Sequence, residues 1–267
     1  MHEILQRLRP GDRVLDLGSA SGSFAEADTA ATVFRADLSP QAIPRFACSD
    51  ARMLPFRDES FNAVILNHSL EHFDSPATVL SEIRRVLRNP GFLYVAVPDA
   101  STLTDRVYRW LGRGGGHINR FTDVGALVEL VQRQTALPHI GTRLLFTSLS
   151  FLNRHNWKHK APVRVYMVGG GSERVLRLAT IIFRGIDKSV GSRTSVYGWA
   201  CCFGPSIEFD TRLFSNVCVR CGSGHSSVAL LRSARVRRGA FGLRLFRCPT
   251  CGVENYFTED AGYALIQ

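Results

Sequence analysis

Four cysteines in the last third of the chain have the residue type and the spacing of metal ligands. Cys218 and Cys221 form one Cys-x-x-Cys-Gly segment, Cys248 and Cys251 form a second, and 26 residues separate the two. Each segment can turn the backbone so that two sulfurs face one centre, and four thiolates form a closed tetrahedral zinc site without an open catalytic position. Redox-active Cys-x-x-Cys pairs are the alternative, which two matched segments in one chain disfavour. We therefore expect structural zinc.

A second chemical pattern occupies residues 14–24, which read VLDLGSASGSF. The apolar run around Asp16 predicts a buried parallel strand, and a loop of small residues follows it from Gly18 to Gly22. A helix predicted to begin within residues 21–24 would present free N–H groups to an anionic ligand. Strand, turn and helix in this order predict a nucleotide-type site at the carboxyl edge of a parallel sheet. The loop fits neither the dinucleotide fingerprint nor the phosphate loop, which disfavours a nicotinamide dehydrogenase.

Further apolar segments predict the strands that would carry this site. Residues 32–36 form a second strand that ends at Asp37, whose carboxylate could accept hydrogen bonds from both hydroxyls of a ribose or cap the next helix. Residues 63–66 and 92–97 predict a fourth and a fifth strand. Helices are predicted over residues 78–87, 124–134 (with Thr122 as N-cap) and 172–190, and strands over residues 144–151 and 195–203. This pattern is typical of an α/β domain.

These segments together resemble the class I S-adenosylmethionine-dependent methyltransferases. Residues 16–22 resemble their D-x-G-x-G-x-G motif, with Ala20 at the place of the middle glycine. Residues 37–39 resemble D-[IL]-S, and residues 50–64 resemble the D-A-x-x-L-P-F run, with Asn62 in place of an aspartate. Residues 69–99 resemble the "LEH" segment of the small-molecule branch. The resemblance covers about residues 14–99.

The resemblance implies a Rossmann-like, seven-stranded α/β sheet with helices on both faces, and S-adenosyl-L-methionine as cofactor. It implies that Asp37 binds the ribose, that Asp50 takes the adenine amino group and that Ala51 lies at the same ring. The cofactor-binding residues that it implies are Asp16, Gly18, Ser19, Ala20, Gly22, Asp37, Leu38, Asp50, Ala51 and Asn67. We expect the methyltransferase domain at residues 1–212 and a module that resembles a zinc ribbon at residues 213–267.

The expected reaction is methyl transfer to a small-molecule, lipid or sugar-type acceptor, with oxygen as the expected acceptor atom. Deprotonation of a hydroxyl requires a base, for which His117, His68 and His72 are the candidates. His117 is the first choice because it adjoins a glycine-rich segment at residues 112–116 that could form a substrate lid. The alternatives are an RNA or protein methyltransferase that docks through the cysteine module, and an inactive cofactor-binding scaffold.

The net charge of +10 is unevenly distributed along the chain. Residues 1–150 carry 16 basic and 16 acidic side chains, whereas residues 151–267 carry 17 basic and 7 acidic ones. This asymmetry predicts an acidic partner for the second half, namely RNA, a phosphorylated group or an anionic membrane surface. Thirty of the 33 cations are arginine, so genomic base composition is an equally good explanation.

The predicted helix over residues 172–190 is basic and amphipathic. Its apolar face comprises Val175, Leu178, Ile182, Phe183 and Ile186. We expect this face to pack on the sheet of the same domain, with an anionic membrane surface as the alternative. The chain has no apolar run of roughly 20 residues and no signal-peptide pattern at its start. We therefore expect a cytoplasmic protein, with peripheral attachment to a membrane as the alternative.

Overall fold

The computed structural model describes residues 1–20, 22–111, 116–156, 171–239 and 242–259. The chain divides into two compact units. The first unit comprises Met1–Asp99, His117–Arg143 and Trp199–Thr211, and the second comprises Ala100–Gly116, Leu144–Gly198 and Arg212–Gln267. The domain boundary expected between residues 212 and 213 remains a prediction. Most of the glycine-rich segment, residues 112–115, lies outside the described residues.

One seven-stranded sheet forms the centre of the fold. Its strands are β1 (Arg13–Leu17), β2 (Thr32–Asp37), β3 (Phe46–Cys48), β4 (Phe61–Asn67), β5 (Leu87–Pro98), β6 (His139–Phe146) and β7 (Val196–Phe203). Their order is β3-β2-β1-β4-β5-β7-β6. β1 pairs in parallel with β2 and β4, β2 with β3, and β4 with β5. The carboxyl ends of these five strands therefore meet at one edge, and the predicted Rossmann-like sheet is confirmed.

The central strands form where nearly continuous apolar runs allow burial on both faces. In β1, Leu15 is fully buried, and in β4, Val64 and Ile65 are fully buried. Asp16 is the exception, because its side chain is also completely buried in the middle of this apolar run. A carboxylate is expensive to bury without hydrogen bonds, so its position points to a specific structural role.

Six α-helices and four 3₁₀ turns accompany the strands in the described residues. The helices are α1 (His2–Leu5), α2 (Pro76–Val86), α3 (Leu103–Leu111), α4 (Val124–Thr135), α5 (Glu173–Val190) and α6 (Ser227–Arg232). The 3₁₀ turns cover Glu26–Asp28, Leu70–His72, Ser150–Leu152 and Arg154–Asn156. None of the helices in the described part of the chain combines the length and the apolar character needed to cross a membrane.

The local structure differs from the sequence-based expectation at three places. No α-helix begins within residues 22–24, where the Ser23 N–H donates to the Asp16 carboxylate at 2.8 Å, and only the short 3₁₀ turn Glu26–Asp28 precedes β2. The N-cap of α4 is Asp123, not Thr122, since its carboxylate accepts hydrogen bonds from the first N–H groups of the helix. The strand predicted at residues 144–151 is instead β6, which ends at residue 146 before a left-handed turn.

Helix α5 belongs to the second unit. The face that it buries differs from the face that the apolar periodicity predicts to be buried. Four residues of its predicted buried face are between 42% and 54% exposed. They are Val175, Leu178, Ile182 and Ile186. The buried positions of α5 include Leu176, Arg184 and Asp187. The expectation that the apolar face is packed against protein is therefore wrong for these four residues, whereas the fifth, Phe183, packs against the buried cluster that contains Leu176.

Hydrogen bonds to backbone groups explain why two charged residues of α5 are buried. The Arg184 guanidinium donates to the carbonyl oxygens of Thr147 and Ser195 at 3.2 and 3.3 Å and lies 4.5 Å from the ring centre of Phe146. The Asp187 carboxylate accepts hydrogen bonds from the N–H groups of Thr194 at 2.6 Å and Ser195 at 2.9 Å. These charged hydrogen bonds offset the desolvation of both side chains.

Two small antiparallel sheets complete the second unit. One contains β8 (Asn216–Val217) and β9 (Gly224–His225), and the other contains β10 (Val236–Arg238), β11 (Arg244–Arg247) and β12 (Glu254–Tyr256). Their common core is small and consists of Cys218, Leu230, Phe246, Cys248 and Phe257. Two of these five buried residues are predicted metal ligands, so this core depends on what the cysteines bind.

Candidate functional site

A cavity of about 440 Å³ lies within the first unit, at the carboxyl edge of the sheet. Half of the ten residues predicted to bind a cofactor line it, and they follow three different strands. These residues are Gly18, Asp37, Leu38, Asp50 and Ala51. Ser49, Arg52, Ser69, Phe73 and Asp74 also line the cavity, and the sequence reasoning did not single them out.

The loop after β1 approaches its neighbours so closely that glycine is required at its first position. Gly18 has a φ of +69°, and a Cβ atom there would lie 2.7 Å from the Cβ of Ser69. Ala20 keeps the same left-handed backbone, at a φ of +47°, although it has a side chain. A left-handed conformation costs an L-residue about 1–2 kcal/mol. The loop therefore keeps the shape that a glycine-rich loop would have, at a cost in conformational energy.

Asp16 holds this loop through hydrogen bonds and does not line the cavity. Its Oδ2 atom accepts the N–H of Ser23 at 2.8 Å, and its backbone oxygen accepts the Ser19 hydroxyl at 3.3 Å. Burial raises the pKa of Asp16, and the hydrogen bond from Ser23 opposes that shift. Gly22 packs against Arg35, where a Cβ would lie 3.0 Å from Nε. Within the protein, Asp16, Ser19 and Gly22 thus shape the loop.

Asp37 lies at the end of β2 with its carboxylate at the cavity wall. One oxygen accepts the N–H of Ala20 at 2.8 Å, and the other accepts the N–H of Ser39 at 2.9 Å. No helix lies within residues 38–45, so Asp37 does not cap one. A half-buried carboxylate held by two backbone donors keeps further lone pairs that can accept hydrogen bonds from ligand hydroxyls.

Asp50 faces the cavity but already has a cationic partner. The Arg52 guanidinium donates to both carboxylate oxygens, with the shortest distance 2.7 Å from Nη2, and these hydrogen bonds lower the pKa of Asp50. Leu38 is 73% exposed beside it. Asn67, at the end of β4, is half-buried and does not line the cavity.

Two serine hydroxyls add binding capacity to the cavity. The Oγ atoms of Ser49 and Ser69 are buried and have no hydrogen-bond partner among the described residues, and both residues line the cavity. Buried polar atoms in proteins are almost always paired, so these hydroxyls favour a polar ligand there. Together with the carboxylate of Asp37 and the close approach at Gly18, they fit a nucleoside-bearing cofactor.

Three histidines surround a buried carboxylate at the same edge of the sheet. Glu71 is 1% exposed, and its Oε1 lies 3.9 Å from Nδ1 of His68 and 4.0 Å from Nε2 of His72. The rings of His72 and His117 have their centres 4.9 Å apart. Burial, followed by the neighbouring His117 and His72, lowers the pKa of His68 to about 4. The three predicted base candidates are therefore close together, around a glutamate that the sequence reasoning missed.

Backbone hydrogen bonds hold the two segments of this histidine cluster together. The Leu70–His72 turn follows β4, and the Glu71 carbonyl oxygen accepts the N–H groups of Ile118 and Asn119 at 2.9 and 3.0 Å. The Asn119 side chain donates to the carbonyl oxygen of Phe73 at 2.6 Å. The residues that follow His117 are thus anchored at three points, which keeps its ring beside Glu71.

The four predicted metal ligands converge within the second unit. The Sγ atoms of Cys218 and Cys251 are 3.5 Å apart, and those of Cys221 and Cys248 are 3.6 Å apart. Zinc with Zn–S bonds of ~2.3 Å would hold tetrahedral sulfurs about 3.8 Å apart, so the cluster needs little adjustment. All seven cysteines of the chain are free of disulfides. The donor set and its geometry therefore fit zinc.

Each cysteine pair is built by the same local turn. The N–H of Gly222 donates to the carbonyl of Cys218, the N–H of Gly252 donates to the carbonyl of Cys248, and both glycines have a positive φ near +73°. The Asn255 side chain donates to the Cys218 sulfur at 3.5 Å, and this contact was not predicted. Such hydrogen bonds to sulfur orient metal ligands.

Comparison with known proteins agrees with this architecture. Residues 15–95 match the family described as "Methyltransferase domain". Over 99 residues the chain is 36% identical to the demethylmenaquinone methyltransferase of Beutenbergia cavernae, which is 33% of this chain and 41% of that protein. Over 141 residues it is 30% identical to the malonyl-[acyl-carrier protein] O-methyltransferase of Halorhodospira halophila, with 45% and 48% covered. The chain thus spans about half the length of the curated relatives that it matches.

A solved structure extends the likeness in fold beyond these residues. One chain of a complex of the Haloferax volcanii Trm112 methyltransferase activator superposes with a TM-score of 0.51 at 17% identity. The superposition covers 77% of this chain and 88% of the other. At this identity the likeness concerns the fold alone. Residues 15–95 therefore match a methyltransferase domain in sequence, on a fold that extends over most of the chain.

Proposed function

We propose that this protein is an S-adenosylmethionine-dependent methyltransferase that acts on a small-molecule, lipid-like or sugar-type acceptor, with oxygen as the acceptor atom. The cavity at the carboxyl edge of the sheet carries the proposal, because Gly18, Asp37 and Asp50 from three strands converge on it. The methyltransferase match of residues 15–95 supports the reaction class. Relatives named for demethylmenaquinone and malonyl-[acyl-carrier protein] support the acceptor class.

In this proposal, different residues of the cavity bind different parts of the cofactor. Asp37 accepts hydrogen bonds from the ribose hydroxyls, and Asp50 accepts one from the adenine amino group beside Ala51 and Leu38. Both oxygens of Asp50 are bonded to Arg52, but a carboxylate offers about four lone-pair positions, so the amino group can join this arrangement. The backbone at Gly18 leaves room for the cofactor to approach the loop.

When bound, S-adenosylmethionine supplies an electrophilic methyl group on a sulfonium sulfur, whose C–S bond breaks with its electron pair returning to sulfur while the acceptor oxygen forms the new C–O bond. The chain aligns the acceptor oxygen and excludes water. His117 is our first candidate to receive the acceptor proton, with His68 and His72 as alternatives. Burial lowers the pKa of His68 to about 4, which keeps its ring neutral near pH 7 but makes it a weak base, so His68 is the less favourable alternative.

We further propose that Cys218, Cys221, Cys248 and Cys251 hold a structural zinc ion in a zinc-ribbon-like module. A closed set of four thiolates leaves no position for substrate, so the ion contributes folding energy rather than chemistry. The buried core that surrounds these cysteines is small, which makes the module dependent on the ion.

We propose that the basic second half of the chain binds an acidic partner. Two arginines between the cysteine pairs are already neutralised, since Arg237 contacts Glu254 and Arg244 contacts Glu259. Arg232, Arg235 and Arg247 are exposed and provide the positive surface. Binding of a short RNA that weakens steeply with salt and is lost when these three are changed to glutamate would support RNA as that partner.

Calorimetry with S-adenosylmethionine tests the proposed cofactor site. We expect Asp37→Ala to weaken binding about 10- to 100-fold, because each hydrogen bond to a charged group contributes about 1.5–3 kcal/mol. Asp58→Ala is the matched control, since Asp58 pairs with Arg85 away from the cavity and should leave the affinity unchanged. Equal affinities of the wild type and Asp37→Ala would remove Asp37 from the site.

A labelled methyl donor supplied with pools of small acceptors tests the reaction itself. We expect S-adenosylhomocysteine and a labelled product to form together. If the donor binds but no pool yields S-adenosylhomocysteine, the protein is a cofactor-binding scaffold, which is the alternative left open by the sequence.

A further inference from the structure

The side chains of Glu71, His72 and His117 form a second group with the composition of a metal site. Their ligand atoms, one carboxylate oxygen and two ring nitrogens, all lie within 4.8 Å of one another. This group belongs to the first unit, whereas the four cysteines belong to the second. Its donors are nitrogen and oxygen rather than sulfur, so it is chemically distinct from the cysteine site.

We infer that Glu71, His72 and His117 bind one divalent transition-metal ion, with zinc as the best fit. Two imidazoles and one carboxylate are the ligands of several catalytic zinc sites, which keep a fourth position open. Zinc bonds of ~2.0–2.1 Å place tetrahedral ligands about 3.4 Å apart. The Glu71 and His72 atoms, at 4.0 Å, need only a small side-chain movement to reach that spacing.

Backbone hydrogen bonds in the described residues hold these ligands in position. Glu71 is almost completely buried, and its own backbone carbonyl accepts the N–H groups of Ile118 and Asn119, directly after His117. The ligands from the two segments are thereby fixed relative to each other.

His68 lies next to this site and offers a third nitrogen donor, which would be a fourth ligand. Its Nδ1 is 3.9 Å from Oε1 of Glu71, so it can either hydrogen-bond to the glutamate or complete the coordination. The backbone of His68 is left-handed, with a φ of +57°, directly after β4. Non-glycine residues in this conformation carry strain and concentrate at functional sites.

The location of this metal site beside the cavity indicates which ligand would bind at the open coordination position of the ion. His72 is a ligand and also lines the cavity described above, so an ion held by it would border the cavity. A zinc ion strongly lowers the pKa of a bound water or hydroxyl. We assign its exchangeable ligand to the oxygen of a hydroxyl-bearing acceptor, whose pKa the ion would lower so that the proton passes to water before methyl transfer. His72 and His117 would then act as metal ligands, which replaces the role of base considered for them above. This role of the ion rests on the proposed methyl transfer, whereas binding of the ion does not.

Metal stoichiometry tests this inference with Zn²⁺ alone as the probe. Full-length protein is freed of metal, reloaded with Zn²⁺, separated from free metal and analysed for zinc. We expect two zinc ions per chain in the wild type, one in His117→Ala and in Glu71→Gln, and one in Cys248→Ser. His155→Ala is the control, because this exposed histidine lies outside both clusters, and it should retain two.

Cobalt spectroscopy distinguishes the two sites in the same variants. Co²⁺ bound to thiolates has intense charge-transfer bands, whereas a nitrogen and oxygen site has only weak ligand-field bands. We expect His117→Ala to lose the weak bands and to keep the intense ones. Circular dichroism and thermal unfolding check that the variants are folded. If His117→Ala is unfolded, Glu71→Gln, which preserves the shape of the side chain, takes its place.

Each outcome decides between the inference and a metal-free cluster. One zinc ion in the wild type that Cys248→Ser removes, or two in both His117→Ala and Glu71→Gln, would overturn the inference and leave the histidines and Glu71 as a proton-transfer group. Two zinc ions without S-adenosylmethionine binding would refute the proposed methyl transfer but keep the metal site. One zinc ion, lost in Cys248→Ser, together with full methyl transfer would refute the metal site but keep the proposed methyl transfer.

Discussion

The sheet edge of the first unit and the cysteine cluster of the second unit assemble their functional residues in different ways. Asp37 and Asp50 come from separate loops that only the parallel pairing of β1, β2 and β3 brings together. The four cysteines come from two short turns with the same internal hydrogen bonds. The first site therefore depends on the whole sheet, whereas the second depends on local turns and, in our proposal, on a zinc ion that joins them.

We expect the largest effect from the removal of one cysteine, which should affect the cysteine cluster and leave the sheet edge unchanged. We expect Cys248→Ser to lose the zinc of the cysteine cluster and the hydrogen-exchange protection of residues 216–257, since structural zinc supplies about 10–16 kcal/mol of apparent binding energy. The affinity for S-adenosylmethionine should change less than threefold, because the sheet edge folds without those turns. Cys48→Ser, at an exposed cysteine, is the control. Equal protection in both variants would contradict the dependence on zinc.

A large effect is expected at the sheet edge from one added methyl group. Gly18→Ala should lower the free energy of unfolding by about 2–4 kcal/mol, which combines a left-handed backbone with overpacking against Ser69, and should abolish S-adenosylmethionine binding. Gly11→Ala is the matched control, since Gly11 also has a positive φ but has no atom within 4 Å of the added Cβ. Denaturant unfolding and calorimetry measure both; similar losses in the two variants would refute the packing argument.

A moderate effect within the second unit concerns the orientation of α5. Arg184→Met should lower the free energy of unfolding by about 2–3 kcal/mol, because its charged hydrogen bonds to the carbonyls of Thr147 and Ser195 are lost. Ile182→Ala, on the exposed face, should cost less than about 0.5 kcal/mol. If thermal unfolding shows the reverse order, the apolar face of α5 is the buried one.

The smallest effect refines the description of the loop after β1. Ala20→Gly should raise the free energy of unfolding by about 1 kcal/mol or less, since glycine adopts the left-handed backbone without the steric cost but loses more chain entropy on folding. The affinity for S-adenosylmethionine should stay within about twofold. A clear loss of stability in denaturant titrations would mean that the methyl group of Ala20 makes a favourable contact.

The sequence predicted those features that follow from chain order and local turns. The strand-loop pattern around Asp16 and Asp37 was enough to locate the sheet edge, because parallel strands must bring their carboxyl ends together. The spacing of Cys218 and Cys221, repeated at Cys248, was enough to predict one cluster. Both inferences require only the residues themselves and general backbone geometry.

The features that the sequence did not predict depend on tertiary context. Helical periodicity predicts that Leu178 and Ile182 lie on the buried face of α5. It contains no information on the strand-end carbonyl groups that accept hydrogen bonds from Arg184. The position of Glu71 beside the three histidines became visible only in the structure, where the N–H groups of Ile118 and Asn119 donate to its backbone carbonyl. The helix predicted after the loop is also not found in the described residues there, where only the 3₁₀ turn Glu26–Asp28 forms.

The spacing of the cysteine turns has a consequence for how this region responds to its environment. An ion shared by Cys218 and Cys251 would cross-link a loop of about 30 residues, which in entropic terms resembles a disulfide of about 3–4 kcal/mol. Unlike a disulfide, this cross-link is reversible and follows mass action, so each tenfold rise in free zinc above the dissociation constant adds about 1.4 kcal/mol. The folded fraction of the region would then track the zinc supply of the compartment that holds it.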